Sequence, residues 1–229
     1  MADSFKYTEE LRDLSASLGM SVFGIADLDP VRQTFHPQLE GPAKGLKYGI
    51  VAGIRLSDPV IDDIVDQPTF LYKYHYQTAN DALDRAATAF GFYIQQKGFK
   101  ALPIPASQTV DWEKHLGHLS HKALAVQAGL GWIGRSALFI HPVHQARLRL
   151  VSVLTDLPLE PGSPVKGECG ACRRCLEACP AGAITEQGYD KPKCIAKLKE
   201  FSRRPGINQY ICGVCVMACQ GGTQTTDNG

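Results

Sequence analysis

Cys169-Gly-Ala-Cys172-Arg-Arg-Cys175-Leu-Glu-Ala-Cys179-Pro180 decides how this chain is read, because its four cysteines are spaced by two, two and three residues and a proline follows directly. Three thiolates at that spacing can wrap one compact inorganic core from a tight loop. A helical turn after the third throws the fourth forward to a second site. A looser copy follows: Cys194, then Cys212, Cys215 and Cys219, with seventeen residues inserted between its first two cysteines and Gln220 where the first copy has proline. All eight cysteines of the chain lie in this span, and none occurs before it.

The spacing is the signature of a module holding two 4Fe-4S clusters. If the fourth cysteines are exchanged, as that signature implies, one cluster is held by Cys169, Cys172, Cys175 and Cys219, and the other by Cys194, Cys212, Cys215 and Cys179. Structural zinc is the competing reading, but zinc ribbons present paired cysteines separated by a knuckle. Disulfides would need an oxidising compartment, and Met-Ala-Asp-Ser-Phe-Lys at the start lacks the order of a signal peptide. The chain therefore reads as cytoplasmic. Cubanes of this type carry single electrons, so electron transfer is the default role.

Upstream, the 229 residues carry 44% hydrophobic and 21% charged side chains with a net charge of +1. That composition suits one substantial core plus a small module. Basic residues form no run that would track nucleic-acid phosphates, and no apolar stretch approaches the roughly 20 residues a bilayer span needs. Nucleic acid and membrane are thus not expected partners.

Helical spacing of Leu11, Leu14 and Leu18 predicts a helix over 8–18, ended at Gly19. Strands are expected at 21–26 and 48–56, the strongest helix at 70–97, a strand at 99–104, a short helix at 120–127, and strands at 137–140 and 147–154. The order predicts an α+β domain with a mixed sheet over 1–160. A boundary dense in Pro and Gly near 158–164 separates it from the cysteine module, 161–229.

Gly129-Leu-Gly131-Trp132-Ile-Gly134 matches the dinucleotide fingerprint in letters only. That fingerprint must follow a strand and open a helix, whereas here a helix precedes it and strands follow. Three glycines still allow close approach of backbone to something flat, with Trp132 packed upon it. A plain glycine-rich turn stapled by a core tryptophan is the alternative.

This loop, written Ala128-Gly-Leu-Gly-Trp-Ile-Gly134, together with Leu154-Thr-Asp-Leu-Pro-Leu159, Val22-Phe-Gly-Ile-Ala26 and the cysteine pattern, resembles the epoxyqueuosine reductase and reductive dehalogenase-like superfamily. The resemblance implies a nitroreductase-like α/β domain that binds cobalamin, followed by the ferredoxin-like double-cluster module. One cubane would reduce the cobalt, and Gly129, Gly131, Trp132 and Gly134 would line the corrin. A low-potential electron donor of ferredoxin or flavodoxin type is implied as partner, with a small-molecule substrate or a corrinoid protein as acceptor. Members that act on tRNA continue into a helical-repeat domain, and this sequence ends ten residues beyond Cys219, so tRNA is not expected as substrate.

The family's acidic residue lies in a Val-Asp-Ser/Thr-Ala-Pro run. Here Val110-Asp111 leads into Trp112-Glu113, so Asp111 is the candidate for that role. His121 is the first choice among the histidines for delivering protons, ahead of His115 and His118, with Tyr76 a further candidate. Asn80 and Asp84 fall four apart on the long helix and form a polar pair that could meet a cofactor edge. The expected function is a cobalamin-dependent iron-sulfur reductase. The alternatives are an electron-transfer protein or corrinoid reductase, and a flavin-binding reductase.

Overall fold

The structure, a computed structural model, describes residues 2–224. The chain divides into two compact units: one from 1–54, 80–130 and 149–165, the other from 55–79, 131–148 and 166–229. In this division the cysteine segment shares its unit with 55–79 and 131–148, which a composition shift cannot reveal.

The first unit opens with α1 (Ala2–Ser17). Gly19 ends it at φ 75°, donating its N–H to Ala16 O while Met20 N–H reaches Ser15 O. Strands β1 (Val22–Asp27) and β2 (Tyr48–Arg55) follow; the short α2 (Asp58–Asp62) and the first turns of the 27-residue α3 (Phe70–Gln96) fall in the other unit, and the rest of α3 belongs to this one. Next come β3 (Ala101–Ile104) and α4 (His121–Gln127), whose first turn is capped by Ser120 Oγ accepting from Ala123 N. In the other unit a two-strand hairpin, β4 (Trp132–Ile133) with β5 (Phe139–Ile140), precedes β6 (Leu148–Thr155).

The sheet of the first unit runs β1-β2-β6-β3. β1 pairs antiparallel with β2, and β3 with β6. Lys47 N–H bonds Thr155 O at one end of the β2–β6 edge and Leu56 N–H bonds Arg147 O at the other, so this pair is antiparallel too. The expected mixed sheet is therefore corrected to an all-antiparallel one. Element order alone does not distinguish the two, because a long connection through a helix can return a strand in either direction.

One face of the sheet is covered by helices. Leu11 of α1 and Leu83, Ala86, Phe90 and Ile94 of α3 pack on Ile25, Ile50, Ala52, Val151 and Val153. Burying a side chain such as Phe90 contributes about 1.5–3 kcal/mol. Leu18, expected on this face, is exposed because the helix stops before it. The opposite face receives α4. A Cβ at Gly49 would stand 2.5 Å from Leu124 Cδ2, so glycine in the middle of β2 is what lets α4 lie close.

The strand expected over 137–140 is only Phe139–Ile140. Ala137 takes φ 56° in a turn in which its N–H bonds Gly134 O, and strand pairing begins after it.

After the boundary the second unit adds β7 (Gly167–Glu168), α5 (Arg174–Ala178), the hairpin of β8 (Ile184–Thr185) and β9 (Gly188–Tyr189), α6 (Lys191–Ser202), α7 (Val214–Ala218) and β10 (Thr223–Gln224), which pairs with β7. Its main core joins Leu56, Val60, Ile61, Ile64 and Tyr72 to Ile207, Ile211, Val214 and Val216. A smaller one joins Trp132, Ile140 and Ala146, with Leu138 and Cys219 packed against it.

Candidate metal centre

Two short helices of the second unit repeat one design. Cys175 is the second residue of α5 and Cys179 its C-cap, while Cys215 is the second residue of α7 and Cys219 its C-cap. Each cap turns the chain to extended geometry, ψ 111° at Cys179 and 126° at Cys219, which carries the fourth thiol away from the turn holding the third. Gly213 starts α7 at φ 87°, and any Cβ there would meet Ile64 Cδ1 at 2.6 Å. Cys194 rides on α6, whose first turn is capped by Asp190 accepting from Lys193 N. The seventeen-residue insertion is the rest of that helix and a turn that delivers Ile207 and Ile211 to the core.

The thiols sort themselves by the fields they exert. Burial raises the Cys175 pKa, and Cys169, Cys219 and Cys172 add to it. Cys219 is raised by burial too, with Cys169 and Cys172 as its thiol neighbours. Burial pushes Cys212 up to about 11, and it feels Cys194 and Cys179. Cys215 is raised further by burial and by Cys212, Cys194 and Cys179, with Cys175 the last and weakest neighbour. Cys175 thus has Cys169, Cys219 and Cys172 as its thiol neighbours, and Cys215 has mainly Cys212, Cys194 and Cys179. Thiolates crowded in this way repel one another until a cation neutralises them, which is the electrostatics of a metal-cluster site. No group of three or more His, Cys, Asp or Glu side chains among the described residues is placed to hold a metal ion.

Around the first set, the glycine loop supplies the packing. A Cβ at Gly134 would stand 3.2 Å from Cys169 Sγ. Trp132 lies against Gly167, where a Cβ would come within 2.2 Å of the ring. Its indole Nε1 is buried without a hydrogen-bond partner, and so is Arg135 Nε, although the Arg135 Nη atoms donate to Glu186 and, at 2.8 Å, to Gly170 O. The remaining glycines are likewise occupied by protein. A Cβ at Gly129 would meet Ser163 O at 2.4 Å, and one at Gly131 would meet Ile140 O at 2.0 Å. The close approach foreseen for Gly129, Gly131 and Gly134 is thus made by the chain itself.

The other expected residues take structural parts. His121 is engaged at both ring nitrogens, Nδ1 with Ser152 Oγ at 2.9 Å and Nε2 with Pro105 O at 2.9 Å. Desolvation by the surrounding protein holds its pKa down to about 4, so the ring is neutral near pH 7. The Asp111 carboxylate accepts from Lys114 N at 2.8 Å and Glu113 N at 3.0 Å. The Lys114 N–H bond first, then that from Glu113, keeps it below the usual carboxylate range. Asn80 Oδ1 accepts from Arg149 Nε and Asp84 from Ala106 N, so this pair anchors neighbouring chain to α3. Tyr76 packs edge-on against Tyr72 in the second unit's core. His118 Nδ1 pairs with Gln108 Oε1.

His121→Gln therefore tests a latch. A histidine whose folded pKa is depressed gives stability that is full above its unfolded pKa near 6.5 and is lost as pH falls toward about 4. The wild-type chain is expected to lose up to about 3 kcal/mol from this group across that window, and His121→Gln to flatten that part of the profile in urea melts. An unchanged profile would refute the latch.

A cavity of about 470 Å³ opens beside Cys219, lined among others by Arg55, Asp58, His144, Arg147 and Arg174. Arg147 spans it, donating to Asp58 at 2.8 Å and Asp62 at 2.6 Å. Sequence reasoning missed this wall, because nothing in the local sequence of Arg147 points to partners so far upstream.

No family model matches the chain. The epoxyqueuosine reductase of Bacillus anthracis is 33% identical over 112 residues, covering 45% of this chain and 30% of that protein. That of Leadbetterella byssophila is 25% identical over 245 residues, covering 93% of this chain and 79% of its own. The chain resembles the epoxyqueuosine reductases. It spans about a third of the length of the first of these relatives. A reductive dehalogenase whose structure suggests a mechanism for B12-dependent dehalogenation shares the fold at TM-score 0.73 and 19% identity, over 95% of this chain and 32% of that one. A solved epoxyqueuosine reductase does so at TM-score 0.67 and 20% identity, over 94% and 65%. The resemblance read from the motifs is borne out by both comparisons. No helix among the described residues is long and apolar enough to cross a membrane.

Proposed function

We propose that the protein is an iron-sulfur, cobalamin-dependent reductase in which two 4Fe-4S clusters deliver single electrons for the reduction of a small substrate. The observation that supports this reading is the thiol neighbourhood of Cys175, made of Cys169, Cys219 and Cys172, beside that of Cys215, made mainly of Cys212, Cys194 and Cys179. Cys169, Cys172, Cys175 and Cys219 hold one cluster, and Cys179, Cys194, Cys212 and Cys215 the other. Cys215 of one set feels Cys175 of the other, so an electron passing between the clusters has these two thiols beside it. The buried, unpartnered N–H groups of Trp132 and Arg135 suit an acceptor-only group such as a cluster.

Cobalamin enters on the likeness to the B12-dependent dehalogenase fold and to the epoxyqueuosine reductases. When bound it supplies a low-valent cobalt nucleophile. No residue is assigned to the corrin, because the glycines expected to line it are filled by the chain's own atoms. The electron donor is a low-potential protein of ferredoxin or flavodoxin type, and the site of action is the cytoplasm. Nucleic acid is not proposed as a substrate.

A second reading, an electron-transfer protein or corrinoid reductase without its own organic substrate, is favoured by the state of the proton donors. Asp111 is held ionised and His121 is neutral with both nitrogens engaged.

Anaerobic purification, metal analysis and an absorption spectrum test the proposal. About eight irons per chain are expected. Zinc without iron sinks the cluster reading, and full iron with no binding or reduction of added cobalamin sinks the corrin and turns the search to a flavin. Turnover that survives both Asp111→Ala and His121→Ala excludes these residues as proton donors, and cobalamin reduction without turnover of any organic substrate establishes the second reading.

A further inference from the structure

We propose that the indole N–H of Trp132 donates a hydrogen bond to a sulfur of the cluster held by Cys169, Cys172, Cys175 and Cys219, and thereby raises that cluster's reduction potential. The inference rests on the cluster reading above and goes beyond it by naming a residue that sets how readily the cluster accepts its electron. Trp132 belongs to the small core against which Cys219 packs, and its ring lies on Gly167, two residues before Cys169. Gly134, on the same short stretch, reaches to within Cβ contact of Cys169 Sγ. The indole thus belongs to the packing on which Cys219 rests, and its neighbour on the chain, Gly134, touches Cys169.

The ring is 4% exposed, yet Nε1 has no acceptor among the protein atoms. Leaving a buried donor unmade costs about 1–3 kcal/mol, and buried polar groups are almost always partnered. Among the described residues only four side-chain N or O atoms are left in this state, and Arg135 Nε, three residues on and tied beside Gly170, is another of them. Two orphaned donors thus lie on one short stretch of chain that packs beside Cys169 and Cys219. A cluster offers acceptors: its sulfides and thiolates accept and never donate. Reduction adds negative charge to those sulfurs, so a donated hydrogen bond stabilises the reduced form more than the oxidised one. Trp132 is thus a positioning and tuning residue, not a catalytic one.

The test uses the full chain, reconstituted anaerobically, with iron and sulfide measured before any potential. In Trp132→Phe the ring stays and the donor goes. The expected result is unchanged iron, with the ratio of oxidised to reduced cluster at a fixed potential raised about fivefold. That is a downward shift of about 40 mV at 59 mV per decade for one electron, read by EPR titration. The second cluster's signal should not move.

The chain has two tryptophans, and Trp112 is 68% exposed. Indole-15N labelling in a Trp112→Phe background should therefore give a single nitrogen coupling to the reduced cluster in pulsed EPR, and this measurement stands if Trp132→Phe does not fold. Full iron with no 15N coupling overturns the inference and assigns the N–H to a buried water, as does full iron with an unshifted potential. Absence of iron from the wild-type chain overturns the cluster reading instead.

Discussion

Cys219→Ser is expected to empty the cluster that begins at Cys169, although the substituted residue lies in the other motif. The thiols whose charges act on Cys219 are Cys169 and Cys172. Iron should fall from about eight to about four per chain, with the remaining EPR signal that of the set containing Cys194. Cys179→Ser should do the reverse. If each substitution instead emptied the cluster of its own motif, the exchange of fourth ligands would be wrong. Cys219 also packs on the Trp132 core, so the remaining chain should be less stable as well as poorer in iron.

Gly131→Ala is expected to destroy the second unit's hairpin at a cost of about 3 kcal/mol or more, because the new methyl would lie 2.0 Å from the carbonyl oxygen of Ile140 and backbone cannot yield as a side chain does. Gly19→Ala provides the contrast. Its φ is 75° but nothing lies within 4 Å, so only the left-handed backbone is penalised, at about 1 kcal/mol. Equal losses in thermal or urea melts would show that steric closeness at the hairpin does not matter. Loss of iron in Gly131→Ala alone would tie the glycine loop to the metal centre.

The sequence was legible where one physical rule governs. The apolar face Ala79, Leu83, Ala86, Phe90 and Ile94 with Gly98 behind it predicts α3 almost to the residue, since a long amphipathic period has few other solutions. Ser120 likewise marks the start of α4. The cysteine spacing predicted the two helical turns that follow Cys175 and Cys215.

Strand direction was not legible, because the register of β2 against β6 depends on hydrogen bonds such as Lys47 to Thr155 that no local pattern encodes. The hydrogen-bond partners of His121 and Asn80 were not legible for a related reason, because a polar side chain looks alike in sequence whatever distant group it bonds, here Ser152 and Arg149. Arg147 with Asp58 and Asp62 carried no signal at all, being an ion pair between distant stretches.

The second unit's core also constrains how the chain comes off the ribosome. Leu56, Ile61, Ile64 and Tyr72 are translated early, but the side chains that cover them, Ile207, Ile211 and Val214, arrive more than a hundred residues later. At about 5–20 residues per second that wait is on the order of ten seconds, during which an apolar surface has no partner. The thiols emerge within the same late interval, so under the proposed cluster reading the surface is covered and the metal ligands are delivered in one closing stretch of synthesis.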